Sequence, residues 1–307
     1  MKKKCIVMFS GGLDSRLVVK IMQEQGFEVL ALFFNLPFGS GCCDKDCSFN
    51  FAQRQGIKLK IFDCTRGKLL KEYLNAIKRA KHGRGAGINP CIDCRIFMFK
   101  KAKELADKKR IDLVVSGEVL GERPMSQMKK SMEIVEEKSG LNGRLLRPLS
   151  AKFFPKTNAE EKDFVNREKL YNIQGRRREK QIALAKKFKI TFPSPAGGCL
   201  LCEKALKERF KFLLKRGIRE EEAKLVGVGR HFLIDYCWIV LGRDEKENKI
   251  IELVGEKTGK LIVPDSPGPS AVILDKCKKK TLEKVHELIR AYSKGGGNRI
   301  DFEKYKL

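Results

Sequence analysis

The run Ser10-Gly11-Gly12-Leu13-Asp14-Ser15 carries residue types that bind phosphate. It follows the apolar run Cys5-Ile6-Val7-Met8-Phe9. It opens an amphipathic segment from Arg16 to Gln25, with Leu17, Val18, Ile21 and Met22 at helical spacing. A strand, a tight glycine turn and a helix aim free backbone N–H groups at an anion. Gly11 and Gly12 remove Cβ atoms that would block its approach. Ser10 and Ser15 add hydroxyl donors, and Asp14 supplies a carboxylate suited to Mg²⁺ bridging phosphates. The loop lacks the Gly-Lys-Ser/Thr close of a Walker motif. The plain alternative is an ordinary strand-to-helix turn capped by serine.

Sulfur is the second chemistry on offer. Cys91-Ile92-Asp93-Cys94 and Cys199-Leu200-Leu201-Cys202 are C-x-x-C pairs, each readable as a metal clip, a redox pair or a thiolate activated by a helix N-terminus. Brought together by the fold, they could make a four-cysteine zinc site. Cys42, Cys43 and Cys47 form a third group, either a zinc site with Asp44 or Asp46 or a plain loop. Cys5, Cys64, Cys237 and Cys277 stand alone and read as small core residues. Eleven cysteines in a chain expected to be cytoplasmic argue against a disulfide framework. His82, in a glycine-arginine loop, reads as a surface residue facing a polyanion. His231 and His286 have no partner motif and default to structure.

Strands and helices must position these groups. Buried strands are expected at Glu28–Asn35 and Asp112–Ser116 and a further short strand at Lys58–Asp63, with helices near 48–55, 69–81 and 96–108. Their alternation implies right-handed crossovers and an α/β, doubly wound parallel sheet. Ligands in such sheets sit beyond the carboxyl ends of the strands, where Ser10, Asn35 and Ser116-Gly117 fall. A basic helix is expected near 176–188. Beyond a Pro-Gly hinge at 193–198 come helices near 206–215, 220–225 and 281–293, with strands at 232–241, 250–254, 260–263 and 271–274. With 307 residues and roughly 150 per domain, two domains are expected: 1–195, and a smaller α/β domain at 196–307.

No apolar run approaches the roughly 20 residues that span a bilayer, and the N-terminal run is too short for a signal peptide. The formal net charge of +27 is unusual for an enzyme of small metabolites and favours a polyanion, RNA above all. Arg176-Arg177-Arg178 with Lys180, Lys186, Lys187 and Lys189 is the densest basic stretch; Lys276 to Lys280 and Arg299 come next.

The loop at 10–15 resembles the SGGxDS signature of the PP-loop ATP pyrophosphatases. Asn89-Pro90-x-x-x-Cys94, leading into a helix, looks like the segment bearing the first catalytic cysteine of tRNA 2-thiouridylases. Ser116-Gly117-Glu118-Val119-Leu120-Gly121-Glu122 with Ser126-Gln127 resembles the Gly-Glu-x-Leu-Gly-Gln…Ser-Gln segment of tRNA 4-thiouridine synthetases. Leu146-Arg147-Pro148-Leu149 matches the same family. The resemblance runs over about 1 to 202. No THUMP-type or rhodanese-type stretch is recognised, nor are the 2-thiouridylase barrels in 203–307.

That resemblance implies thiolation of a tRNA uridine. The loop would hold the β- and γ-phosphates of ATP, so that the base carbonyl oxygen attacks the α-phosphate and pyrophosphate leaves. A sulfur nucleophile then displaces AMP. Two routes are implied. In one, Cys199 carries a persulfide that Cys94 resolves. In the other, Cys91, Cys94 and Cys199 bind a [4Fe–4S] cluster, with Cys202 a fourth ligand or a spare. The unexplained extra cysteine, Cys91, favours the cluster, with zinc as the alternative. The sulfur donor would be sulfide or a cysteine desulfurase persulfide, and a homodimer is left open. The competing functions are a PP-loop amidating ligase on a small acid and a non-catalytic, zinc-stabilised RNA-binding protein.

Overall fold

A computed structural model describes residues 3–39, 45–194, 198–294, 296 and 298–307. It divides into two compact units, Met1–Cys202 and Glu203–Leu307. The division falls after the second C-x-x-C pair because backbone hydrogen bonds tie that pair into the first unit. Leu200 N–H donates to the Phe38 carbonyl at 2.7 Å, and Ile88 N–H donates to that of Leu201 at 2.9 Å.

Unit 1 contains β1 (Lys4–Met8), α1 (Leu13–Glu24), β2 (Glu28–Asn35), α2 (Lys45–Arg54), β3 (Lys58–Asp63), α3 (Gly67–Lys78), α4 (Cys91–Lys109), β4 (Leu113–Ser116), α5 (Lys129–Ser139), β5 (Leu145–Leu146), α6 (Asn158–Glu161) and α7 (Glu179–Lys187). Its five strands run in the order β3-β2-β1-β4-β5, every pairing parallel. Strand order reverses at β1, between β2 and β4, which opens the crevice where doubly wound sheets bind ligands.

Alternation along β1 shows why both faces must be covered. Cys5 and Val7 join Leu17, Val18, Ile21 and Ala185, so α1 and α7 close one face. Ile6 joins Leu32, Val114, Ile96, Phe99 and Val135, so α4 and α5 close the other. With neighbours on both sides, the central strands are apolar throughout rather than alternating.

Unit 2 contains α8 (Lys207–Arg216), β6 (Arg230–Ile234), β7 (Cys237–Leu241), α9 (Glu245–Thr258), β8 (Lys260–Ile262), β9 (Ala271–Ile273), α10 (Lys279–Tyr292) and α11 (Ile300–Glu303). The sheet order is β6-β7-β9-β8, all antiparallel. Two expectations are corrected here. The stretch 232–241 is a hairpin rather than one strand, turning at Asp235 and Tyr236, both in the left-handed region (φ 48° and 65°). The stretch 250–254 lies inside α9, where Ile251 and Val254 fall on one helical face and are buried. Asp244 caps that helix by accepting Glu247 N–H at 3.0 Å, and the cap together with the charged first turn outweighs the short apolar run.

Two cysteine readings also change. Cys237 and Cys277 form a disulfide, because β7 and the segment after β9 bring their Cα atoms to 6.0 Å. Cys47 is disulfide-bonded as well. Cys42, Cys43, Asp44 and the central hinge residues 195–197 lie outside the described residues.

Candidate active site

The phosphate loop leaves β1 and enters α1 over Gly12, with Gly11 at φ 76°. That angle is costly for any residue with a Cβ. Ser15 Oγ donates to the Gly12 carbonyl at 2.9 Å and lies 3.4 Å from Ser10 Oγ. The buried Arg16 fixes the loop from behind. Its Nε donates to the Gly11 carbonyl at 2.7 Å and its Nη1 to that of Thr191 at 2.8 Å. The guanidinium also stacks over Phe51. Turning the Gly11 carbonyl inward in this way leaves the loop's N–H groups for an anion.

Gly117, just past β4, lies against the loop. A Cβ there would stand 2.8 Å from the Asp14 carbonyl carbon and from the Ser15 nitrogen. Asp14 Oδ1 is buried without a hydrogen-bond partner among the described residues. Burial, with Glu122 adding to it, raises the Asp14 carboxyl to about 6 against the pull of Arg178 and Arg123. A buried oxygen in this state fits a ligand for a divalent cation. Asn35, at the end of β2, donates to Asp63 Oδ1 at 3.2 Å.

Ser116 belongs to a charged network that its motif alone does not reveal. Its hydroxyl donates to Glu118 Oε2 at 3.0 Å. Glu118 is buried and receives Arg95 at 2.8 Å and Arg147 at 3.1 Å; Arg147 also reaches Glu136 at 2.6 Å. Burial alone would raise the Glu118 carboxyl, but the two guanidinium groups outweigh it and hold it below the usual range. Arg95 immediately follows Cys94, so this network joins the start of α4 to the end of β4.

The cysteine pairs converge. Cys199 lies within electrostatic reach of Cys94, Cys202 and Cys91, and Cys202 within reach of Cys91. The close approach of 199–202 depends on glycine. A Cβ on Gly87 would stand 2.4 Å from the Leu201 carbonyl oxygen, and one on Gly39 would meet the Cys199 sulfur at 3.1 Å. Asn89 Nδ2 donates to Cys91 Sγ at 3.2 Å. Behind them lies Tyr73, fully buried and electrostatically coupled to Cys94 and Cys199. Arg123 acts on both Asp14 and Cys202, so the thiols and the phosphate loop share one cation.

Burial pushes the Cys94 and Cys199 thiols up to about 12, and the Arg95 guanidinium beside Cys94 does not reverse this. The expected lowering by the start of α4 is therefore not what these surroundings produce. No three His, Cys, Asp or Glu side chains among the described residues are placed to share one metal ion. His82 also departs from expectation. Its Nδ1 lies 2.9 Å from Asp93 Oδ1, and its N–H donates to Asp93 Oδ2, pinning the glycine loop to α4 between the two cysteines. Arg178 of the basic stretch turns inward onto Glu122 at 2.6 Å, whereas Arg176, Arg177, Lys180, Lys186, Lys187 and Lys189 are exposed.

Arg16, Arg95, Tyr73 and Glu122 went unremarked as site residues in the sequence. Arg16 and Arg95 each directly follow a motif residue, which is the one signal that could have marked them. Among the described residues, no helix is long and apolar enough to cross a membrane.

Residues 1–152 match the family described as thiamine biosynthesis protein (ThiI), and residues 229–302 match the NFACT protein RNA binding domain. The tRNA-specific 2-thiouridylase MnmA of Petrotoga mobilis is 30% identical over 133 residues, covering 38% of this chain and 36% of that protein. The MnmA of Leptospira interrogans is 31% identical over 133 residues, covering 38% and 34%. The chain thus spans about a third of the length of these curated relatives. A solved 4-thiouridine synthetase–RNA complex with bound ATP aligns at a TM-score of 0.40 and 19% identity, over 72% of this chain and 53% of that one. A predicted subunit of tRNA methyltransferase from Methanocaldococcus jannaschii aligns at 0.33 and 19%, over 48% and 68%.

Proposed function

We propose, for a chain whose residues 1–152 belong to the ThiI family of PP-loop proteins, that it is an ATP-dependent tRNA sulfurtransferase making thiouridine. What supports this above all is the meeting of cysteines from residues 91–94 and 199–202 in the unit that holds the phosphate loop. A small-acid ligase has no use for that meeting.

In this reading the backbone N–H groups of Ser10 to Ser15 hold the β- and γ-phosphates. Asp14 would hold Mg²⁺, which would supply charge neutralisation for the departing pyrophosphate. The uridine carbonyl oxygen bonds to the α-phosphorus, and the bond from that phosphorus to the bridging oxygen breaks. The terminal sulfur of a Cys199 persulfide then bonds to the base carbon, and AMP leaves with the former carbonyl oxygen. Cys94 attacks Cys199 Sγ and the sulfur–sulfur bond breaks. This leaves the sulfur on the base and a Cys94–Cys199 disulfide, which an external thiol reduces. Donor sulfur enters as a desulfurase persulfide.

Cys91, Cys94 and Cys199 are the residues that would hold a [4Fe–4S] cluster. Such a cluster would supply a site for inorganic sulfide. Cys202 is the spare in either case, and Ser116, Gly117 and Asn35 would border the nucleotide.

Unit 2, through the segment that matches an RNA-binding domain, would grip the tRNA backbone. Arg219, Lys260 and Lys276 line a cavity of ≈ 470 Å³ there, which suits phosphate contact.

The experiment is incubation of the protein, purified anaerobically, with ATP, Mg²⁺, bulk tRNA and a sulfide or persulfide donor. Release of AMP and pyrophosphate together with thiouridine in the digested tRNA is expected. ATP consumption indifferent to tRNA, or tRNA retention without ATP consumption, would overturn the reading.

A further inference from the structure

The segment after β4 departs from the family pattern it resembles at one position: Glu122 stands where that pattern has an amide. Only 7% of its side chain is exposed. Its Oε1 accepts both Nε and Nη2 of Arg178, at 3.1 and 2.6 Å. Its Oε2 is buried with no partner among the described residues. Asp14 presents a buried oxygen in the same condition, from the first turn of α1. The two carboxylates lie close enough for each to feel the other's charge.

Two buried carboxylate oxygens without hydrogen-bond partners, each within reach of the other's charge, are costly, and Arg178, bound to the other oxygen of Glu122, and Arg123 act on them without hydrogen-bonding to either. An apolar neighbour would make matters worse. A hard divalent cation satisfies both at once. Mg²⁺ in particular binds through one or two carboxylates and completes its shell with phosphate oxygens and water. The adjoining loop is built to present those phosphates.

We propose that Glu122 joins Asp14 in a two-carboxylate seat for the divalent cation that accompanies the nucleotide, with Arg178 aligning the Glu122 carboxylate through its other oxygen. This rests on the reading of residues 10–15 as a nucleotide-phosphate site, and it adds a ligand that the family pattern lacks.

The test uses the full chain, without tRNA or sulfur donor. Binding of α,β-methylene-ATP is measured by calorimetry in EDTA and in Mg²⁺, and bound Mn²⁺ is counted by its paramagnetic resonance signal. For the native chain, Mg²⁺ should tighten nucleotide binding at least tenfold. Glu122→Gln keeps the shape and an acceptor for Arg178. It should lose about tenfold of that gain, bind nucleotide in EDTA as well as or better than the native chain, and hold Mn²⁺ more weakly. Glu122→Asp should keep part of the gain, and Arg178→Gln most of it.

An unchanged Mg²⁺ gain in Glu122→Gln would overturn the proposal, as would an equal loss in EDTA and in Mg²⁺. So would a Mg²⁺ loss in Arg178→Gln as large as that in Glu122→Gln. If Glu122→Gln does not fold, Glu122→Asp decides by the same two comparisons. Because no thiouridine is formed in these assays, their failure leaves the thiolation reading standing. Failure of the tRNA assay likewise leaves the cation seat untouched.

Discussion

At the scale of single residues, the site depends on a few places where nothing larger, or nothing uncharged, can stand. Gly117→Ala would drive a Cβ to 2.8 Å from the backbone of the phosphate loop. The loop cannot retreat, because Arg16 holds Gly11 from behind. Nucleotide affinity is expected to fall at least about tenfold, read by calorimetry, with the melting temperature lowered only slightly. Arg147→Met removes one of two cations from a buried carboxylate. Glu118 and Glu136 then both lose Nη or Nε donors, and Glu118 keeps Arg95 and the Ser116 hydroxyl. Breaking a buried pair in this way costs about 3–5 kcal/mol, measurable as a lower denaturant midpoint at unchanged slope. The Gly-Glu motif marked Glu118, but its partners came from α4 and the strand β5 edge. Only the fold brings those together.

At the scale of elements, two contacts carry the argument. The first is the seating of residues 199–202 on the loop before α4. Gly87→Ala places a Cβ 2.4 Å from the Leu201 carbonyl and displaces that segment. Oxidative trapping of a Cys94–Cys199 disulfide, expected in the native chain, should then slow about tenfold or more, as followed by mass spectrometry after a mild oxidant.

The second contact is the hairpin β6–β7, where His231 is buried as a neutral ring. Trp238 Nε1–H donates to its Nδ1 at 3.1 Å, and its Nε2–H faces the carbonyls of Val228 at 2.8 Å and Leu225 at 3.1 Å. Burial, with Arg209 and Arg243 also acting against the charged ring, lowers its pKa from 6.5 to about 3. Below pH 6.5 the unfolded chain takes up a proton that the folded one refuses. Stability of unit 2 should therefore fall by about 1.4 kcal/mol per pH unit as pH drops from about 6 toward 3, with no effect of this residue above 7. A His231→Gln variant, already weakened, should lack that slope between pH 6.5 and 5 in chemical denaturation.

At the scale of the whole molecule, charge dominates. With a net +27 on 307 residues, the proposed tRNA binding should depend strongly on salt. If six or more phosphates are neutralised, affinity should fall about 10³-fold or more between 50 and 200 mM salt. Filter binding at several salt concentrations would show it; a flat response would mean that the basic surface does not hold the backbone. Substituting the exposed Arg176 and Arg177 by Ser should reduce that slope, whereas Arg178, turned inward on Glu122, should contribute to nucleotide binding instead.

The parallel sheet and the glycine turn between β1 and α1 were legible from the chain alone. Local patterns specify them: apolar runs buried on both faces, a glycine turn between strand and helix, and cysteines at the start of a helix. The second sheet was less legible, since the short run at 250–254 suits strand or helix equally until the Asp244 cap and the neighbouring elements decide. The disulfide of Cys237 with Cys277 and the meeting of Cys91 and Cys94 with Cys199 and Cys202 were decided by tertiary structure, as were the ion pairs of Glu118 and Glu122. Each joins residues distant along the chain, where spacing carries no information. Their charge states depend on burial, which only the packed fold sets.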